Sequence, residues 1–175
     1  MDRIDQLVSE WQAEAPEFDV AAMEIVGRVI VLGQFLEARA NALLKPLGLS
    51  YTDFDVLATL MRSGKPYALT PTALRRSVLI TSGAMTAALD RLETAGLIVR
   101  EPNPDDRRSL TARLTADGRR LGRKAARLRF ADALESIAHL SAADRKRLAA
   151  LLRVLLAAPP FVATASSGHL PAGPG

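Results

Sequence analysis

The sequence predicts a mainly α-helical fold with one small β-hairpin. Three observations carry that expectation. Its 175 residues include 30 Ala, 27 Leu and 19 Arg, a helix-favouring mixture. Aromatic residues make up only 5%, which argues against an all-β sandwich. Apolar residues recur at helical spacing through most of the chain, but residues 97–114 instead read as extended runs around a turn.

Residues 3–15 place Ile4, Leu7, Val8 and Trp11 at helical spacing, and Pro16 interrupts the run. A longer helix is expected from about Val20 to Leu44, stopped by Pro46 and Gly48. Its apolar residues, from Met23 to Leu36, occupy nearly the whole circumference. A helix apolar on more than one face is buried on more than one side. In so small a chain that points to a subunit interface.

Ser50 is placed to cap the next helix, with Asp53 completing a near capping box. Phe54, Val56, Leu57, Leu60 and Met61 form its apolar side, and Ser63-Gly64 ends it. Thr70-Pro71 pairs an N-cap with proline at the first helical position, opening a short helix to about Ser77. Thr81 caps a further helix, Ser82 to Ala95, with Met85, Leu89 and Leu92 as its stripe and Gly96 at its C-terminal stop. Residues 97–101 are extended, 102–109 are turn-rich, and 110–114 alternate apolar with polar, which makes a hairpin with a long basic tip. Thr115 caps a helix expected to reach about Leu140. Ser141 to Asp144 starts the last helix, which ends near Ala157 and carries Leu148, Leu151, Leu152 and Leu155 as a seam for a partner helix. From Pro159 onward breakers dominate, and a disordered tail is expected.

Charge is distributed unevenly. Residues 1–61 hold 4 basic and 10 acidic residues, residues 62–130 hold 15 and 6, and residues 131–175 hold 4 and 3. A basic middle of net +9 is the footprint of a protein that meets a polyanion. The sequence contains no cysteine, which excludes disulfides, thiolate metal sites and thiol redox sensing. There is no apolar run of about 18 residues and no leader-like start, so a soluble cytoplasmic protein with no membrane contact is expected. Phosphate loops, nucleophile elbows and histidine pairs are absent, so no catalytic residues and no cofactor are expected. Asp132, Glu135 and His139 would share one helix face, but a single histidine is a poor metal donor set, and a surface cluster is expected there, with no metal.

Two helices joined by a turn, the second polar on its outer side, describe a helix-turn-helix, and the hairpin after them describes a wing. A helix fits the major groove and reads base edges with its first turn. Here Ser82, Gly83, Thr86 and Ala87 face outward from that turn, and the Thr81 end offers free backbone N–H groups to phosphate. Arg107 and Arg108 at the wing tip suit the narrow minor groove. Arg75, Arg76 and Arg113 are candidates for phosphate contact. Asp106 is expected to order the tip by pairing with a neighbouring Arg. The run Arg119, Arg120, Arg123, Lys124 and Arg127 reads equally well as a solvated face and as a contact to the DNA backbone.

The stretch Thr70-Pro-Thr-Ala-Leu, Thr81-Ser-Gly-Ala-Met-Thr86, Leu89-Asp-Arg-Leu-Glu-Thr-Ala-Gly-Leu-Ile-Val-Arg100, Asp106-Arg-Arg-Ser and Leu114-Thr, followed by Gly118, resembles the MarR family of bacterial transcriptional regulators. The wing signature Asp-x-Arg falls on Asp106 and Arg108, and Leu-Thr-x-x-Gly on Leu114, Thr115 and Gly118. The resemblance spans roughly residues 20–157. It implies a homodimer built from N-terminal helices (1–48) and C-terminal helices (116–158), a winged helix-turn-helix DNA-binding domain (49–115), and a tail (159–175). It also implies a repressor that binds double-stranded DNA at a pseudo-palindromic operator, and a small aromatic or phenolic effector between the dimerisation and DNA-binding parts. Trp11, Phe35 and Phe54 are candidates to line that effector site, against the alternative of ordinary core packing. Ala87-Ala88 departs from relatives that often carry a polar or basic residue there, which leaves fewer base contacts. That departure keeps open a second reading, a winged-helix assembly module with weak, non-specific DNA binding.

Overall fold

A computed structural model of the chain describes residues 1–78, 82–103 and 110–157. The chain divides into two compact units, Met1–Leu43 and Leu44–Gly175.

In the first unit, α1 (Arg3–Glu14) opens with a complete capping box. The Asp2 carboxylate accepts from the N–H groups of Ile4 (2.8 Å) and Asp5 (3.0 Å), and the Asp5 carboxylate accepts from the N–H of Asp2 (2.7 Å). Helix α1 lies against α2 (Ala21–Leu44), where Gly27 makes room for the buried Ile4. A Cβ at Gly27 would come within 3.0 Å of Ile4 Cδ1. Arg28 ties the two helices, donating from Nε to Asp2 (2.9 Å) and from Nη2 to Asp5. The apolar circumference expected of α2 is there: Ile25, Val26, Val29, Ile30, Val31, Leu32 and Phe35 all stand exposed.

The second unit begins with a 3-10 turn, Lys45–Leu47, where the sequence predicts only a helix stop. It contains α3 (Tyr51–Arg62), β1 (Ala68–Leu69), α4 (Pro71–Ser77), α5 (Ser82–Thr94), β2 (Ile98–Pro102), β3 (Leu110–Leu114), α6 (Ala116–Ser136) and α7 (Ala142–Ala157). Helix α3 starts at the expected box, in which Asp53 N–H donates to Ser50 Oγ (3.1 Å) and Ser50 N–H to the Asp53 carboxylate (2.9 Å). The strands form one antiparallel sheet in the order β1-β3-β2. Ile98 lies opposite Leu114, and Pro102 opposite Leu110. The two-residue strand β1 carries no periodic signal and was not foreseen. It is presented by Tyr67, whose left-handed backbone (φ 63°) turns its carbonyl to accept from Leu114 N–H at 3.1 Å.

Leu57, Leu60, Leu74, Met85, Leu92 and Ile98 are fully buried and join α3, α4, α5 and the sheet in one core. Each such side chain contributes about 1.5–3 kcal/mol on burial. Helix α6 is seated on this core through Gly118, Gly122 and Ala125, all buried. It ends at Ser136, short of the expected Leu140. The Ser136 hydroxyl donates to Asp132 O (2.9 Å), and Ile137 leaves helical geometry (φ −115°, ψ 12°). Helix α7 starts at Ser141 as expected, with Asp144 N–H donating to Ser141 Oγ (3.1 Å), and buries no residue. No helix among the described residues is long and apolar enough to cross a membrane.

Candidate nucleic-acid interface

Helices α4 and α5 are fixed by what they bury. Helix α4 is capped by Thr70, whose hydroxyl accepts from Ala73 N–H (3.2 Å), and is anchored by Leu74. Arg62 closes its far end, donating to Ser77 O and to Thr59 Oγ1, each at 2.8 Å. Helix α5 buries Met85, Ala88, Leu89 and Leu92 on one side. Gly83, Thr86, Ala87 and Asp90 are exposed on the other. A core-locked helix with small residues outward in its first turn can approach a groove closely. Ala88 is therefore not a missing base contact. It is 0% exposed and packs in the core, where a longer polar side chain would lack room, so only Ala87 thins the readout face. Thr81 lies outside the described residues, as does the side chain of Ser82.

The arginines of this region fall into two groups. Arg75 and Arg76 stand exposed in the last turn of α4. Three others are held by carboxylates. Arg91 donates from Nε (3.1 Å) and Nη2 (2.8 Å) to Asp53, whose side chain is 6% exposed. Arg100 bonds Asp90 and approaches Glu93 (3.5 Å). Arg113, expected on phosphate, forms a two-point pair with Glu101 across the strands, at 2.7 and 3.0 Å. Its guanidinium hydrogen bonds hold the Glu101 carboxyl below the ordinary value, and Arg113 is held above its own. These pairings join α5 to α3, α5 to β2, and β2 to β3. The sequence shows no periodic signal for them. The Asp90-Arg91 step of the motif is the nearest hint.

The second wing strand starts at Leu110 as expected, while the first runs one residue past the expected Glu101, to Pro102, which pairs with Leu110. Asp106, Arg107 and Arg108 lie outside the described residues.

Beside α5 is a cavity of about 230 Å³, lined by Pro71, Arg75, Met85, Thr86, Leu89, Arg100, Leu110 and Ala112. Its lining combines apolar side chains with Thr86, Arg75 and Arg100. The Nε of Arg100 is buried and makes no hydrogen bond. Trp11, Phe35 and Phe54 do not line it. Trp11 is 46% exposed with its ring 6.1 Å from that of Phe18, Phe35 is 56% exposed, and Phe54 packs against the core.

The Asp132, Glu135 and His139 alignment dissolves because α6 stops before His139. Asp132 is buried and receives Arg129, whose guanidinium also lies over the Tyr51 ring. No group of three potential metal ligands converges among the described residues.

The model of the MarR family matches residues 47–109, from the end of the 3-10 turn to the wing tip. The chain is 35% identical over 115 residues to the HTH-type transcriptional regulator PecS of Dickeya dadantii, covering 66% of this chain and 69% of that protein. It is 36% identical over 125 residues to the HTH-type transcriptional repressor Rv2887 of Mycobacterium tuberculosis, covering 71% and 87%. Among solved structures it is similar to a mutant MarR of Escherichia coli complexed with operator DNA, at 28% identity and TM-score 0.67, covering 83% and 97%. It is also similar to the MarR family regulator Sco3205 of Streptomyces coelicolor in complex with DNA, at 25% identity and TM-score 0.70, covering 79% and 91%. Motif order, winged architecture and coverage of more than two thirds of each relative agree, and the chain belongs to the MarR family of transcriptional regulators.

Proposed function

We propose that this chain is a DNA-binding transcriptional repressor that acts as a homodimer on a pseudo-palindromic operator. The observation that carries this reading is α5. One side is locked into the core by Met85, Ala88, Leu89 and Leu92, and the other presents Gly83, Thr86 and Ala87 beside the exposed Arg75 and Arg76. Helix α5 enters the major groove with its N-terminal turn, Arg75 and Arg76 take phosphates, and Arg107 and Arg108 follow the minor groove. Ser82 and the Thr81 end complete the contact in this reading. Arg113 takes a smaller part than the sequence suggested, because Glu101 already occupies its guanidinium.

The dimer reading is supported by the apolar residues left open on α2 and α7, such as Ile30, Phe35, Leu151 and Leu156. Isolated soluble chains rarely leave such surfaces uncovered. An effector reading is supported by the cavity beside α5. An apolar cavity of about 150 Å³ holds one benzene ring, so a single-ring aromatic acid suits about 230 Å³, with Arg75 for its charge. Seated there, it would meet Thr86 and compete with DNA. Binding that favours one dimer geometry shifts the population away from the spacing of successive major grooves, ~34 Å.

The test is a fluorescence titration of the protein against its own upstream intergenic DNA and a scrambled duplex of equal length. Selective binding by about 10³-fold or more is expected of a regulator. Equal, weak binding to both, and to duplexes recovered from random-sequence selection, would leave the assembly-module reading standing.

A further inference from the structure

Helix α6 carries a surface that the winged domain does not use. Its inner side is Gly118, Gly122 and Ala125. A Cβ at Gly122 would fall 2.7 Å from Met61 Sδ, and one at Gly118 only 1.9 Å from Leu97 O. The helix is thus seated tightly on α3 and the sheet, and its outer side is carried rigidly with α5.

That outer side holds Arg119, Arg120, Arg123, Lys124 and Arg127, all exposed. No acidic residue occurs between Asp117 and Asp132. Arg120 is paired with Asp117 at 2.8 Å. Arg119 lies over the Tyr67 ring, 5.4 Å from its centroid, so an aromatic face rather than a carboxylate holds it. Among the described residues, no carboxylate pairs with Arg123, Lys124 or Arg127. Like charges four residues apart weaken a helix, and a face kept only for solubility normally interleaves both signs. A stripe this uniform fits a polyanion. Arg119, Arg123 and Arg127 recur about every 6 Å along the axis, and their ~12 Å span matches three to four phosphates of one DNA strand.

The same side of α6 turns apolar further along, at Phe130 (75% exposed) and Leu134 (58%). The stripe also starts at the base of the wing. Strand β3 runs about 14 Å from Leu110 at the tip side to Leu114, and α6 begins just beyond. The phosphates it meets are therefore not those under the wing tip.

We propose that this stripe is a second, sequence-independent contact to duplex DNA, holding phosphates that flank the operator. The inference rests on the DNA-binding reading above. The experiment compares wild type with the triple variant Arg123→Gln, Lys124→Gln, Arg127→Gln on an operator duplex of about 20 base pairs and on one of about 60 with the operator central, across 50–200 mM salt. On the long duplex the variant, which removes three cations from each protomer and six from the dimer, should lower the salt slope by about 5.4, so wild type loses roughly 2 × 10³-fold more affinity than the variant over that range. The short duplex and the ratio of operator to scrambled binding should not change. Circular dichroism should show the fold intact, and replacing Arg123 and Arg127 by Lys should keep the wild-type slope. An unchanged slope on the long duplex would overturn the proposal and leave a solvated face. An equal loss on both lengths would overturn the flanking placement. Failure of the operator reading is separate: it removes the discrimination between operator and scrambled duplex, while the slope difference can still be read on non-specific DNA.

Discussion

Gly118→Ala is the sharpest test of how the winged domain is held together. The new Cβ would lie 1.9 Å from Leu97 O and 2.8 Å from Leu97 C, both backbone atoms. Relief to even 3.0 Å requires a shift of more than 1 Å in the turn that leads into β2, or in the start of α6. Leu97 O is not free to move. It accepts from Thr115 N–H and from the Thr115 hydroxyl, each at 3.1 Å. The same hydroxyl accepts from Gly118 N–H at 2.9 Å, which is the cap of α6. Overpacking costs about 1–3 kcal/mol, and two weakened hydrogen bonds add about 0.5–1.5 kcal/mol each. Alanine's better helix propensity returns at most about 1 kcal/mol, and less in a first turn. The net expectation is a loss of about 1–6 kcal/mol. Urea unfolding followed by circular dichroism, at one fixed protomer concentration, measures it. A variant within about 0.5 kcal/mol of wild type would refute the close seating of α6 on the Leu97 turn, and with it the rigid coupling of the cationic stripe to α5.

Other expectations follow from the same structure. Gly83→Ala meets nothing within 4 Å, so it should raise stability by up to about 1 kcal/mol while weakening operator binding, and a gain in both would contradict the groove-facing placement of α5. Leu151→Glu places a charge on an exposed apolar helix. Counted twice across a two-fold interface it should raise the dimer Kd by roughly 10³-fold, and light scattering that finds the same dimer as wild type would exclude α7 from the interface. Glu101 is held below its ordinary 4.5 by the hydrogen bonds from Arg113. Its pairing therefore stabilises the wing above the unfolded value and is lost as pH falls through the folded one. An NMR titration of the Glu101 carboxyl should give a midpoint below 4.5, moved back up in the Arg113→Ala protein, whereas a midpoint at or above 4.5 in the native chain would mean the pair does not persist in solution.

The helices were legible because their signals are local. Ser50, Thr70 and Thr115 cap the elements they precede, and the buried stripe of α5 is Met85, Leu89 and Leu92 with Ala88 added. What the sequence hid is what depends on residues far apart in the chain. Strand β1 has two residues and exists because β3 offers it an edge and Tyr67 adopts a left-handed turn. No local pattern encodes either. The end of α6 was missed for the opposite reason: apolar periodicity continued to Leu140, but the Ser136 hydroxyl bonds back to Asp132 and Ile137 leaves the helical region.

The same division decides what the sequence could say of the interface. Reading a basic middle as a polyanion footprint treats every arginine as available, yet Arg91, Arg100 and Arg113 are each held by carboxylates from other elements. Composition counts them with Arg75, Arg76 and the α6 stripe, although Arg91 and Arg100 brace α5 against α3 and β2, and Arg113 ties β3 to β2. Ala88 errs the other way. Beside Ala87 in the sequence it reads as a stripped contact, but in space it is part of the core that holds the reading helix in place. Sorting braces from contacts needs partners up to 38 residues away, as with Asp53 and Arg91. The arginines left without a carboxylate after that sorting are the ones that should carry the salt dependence of DNA binding.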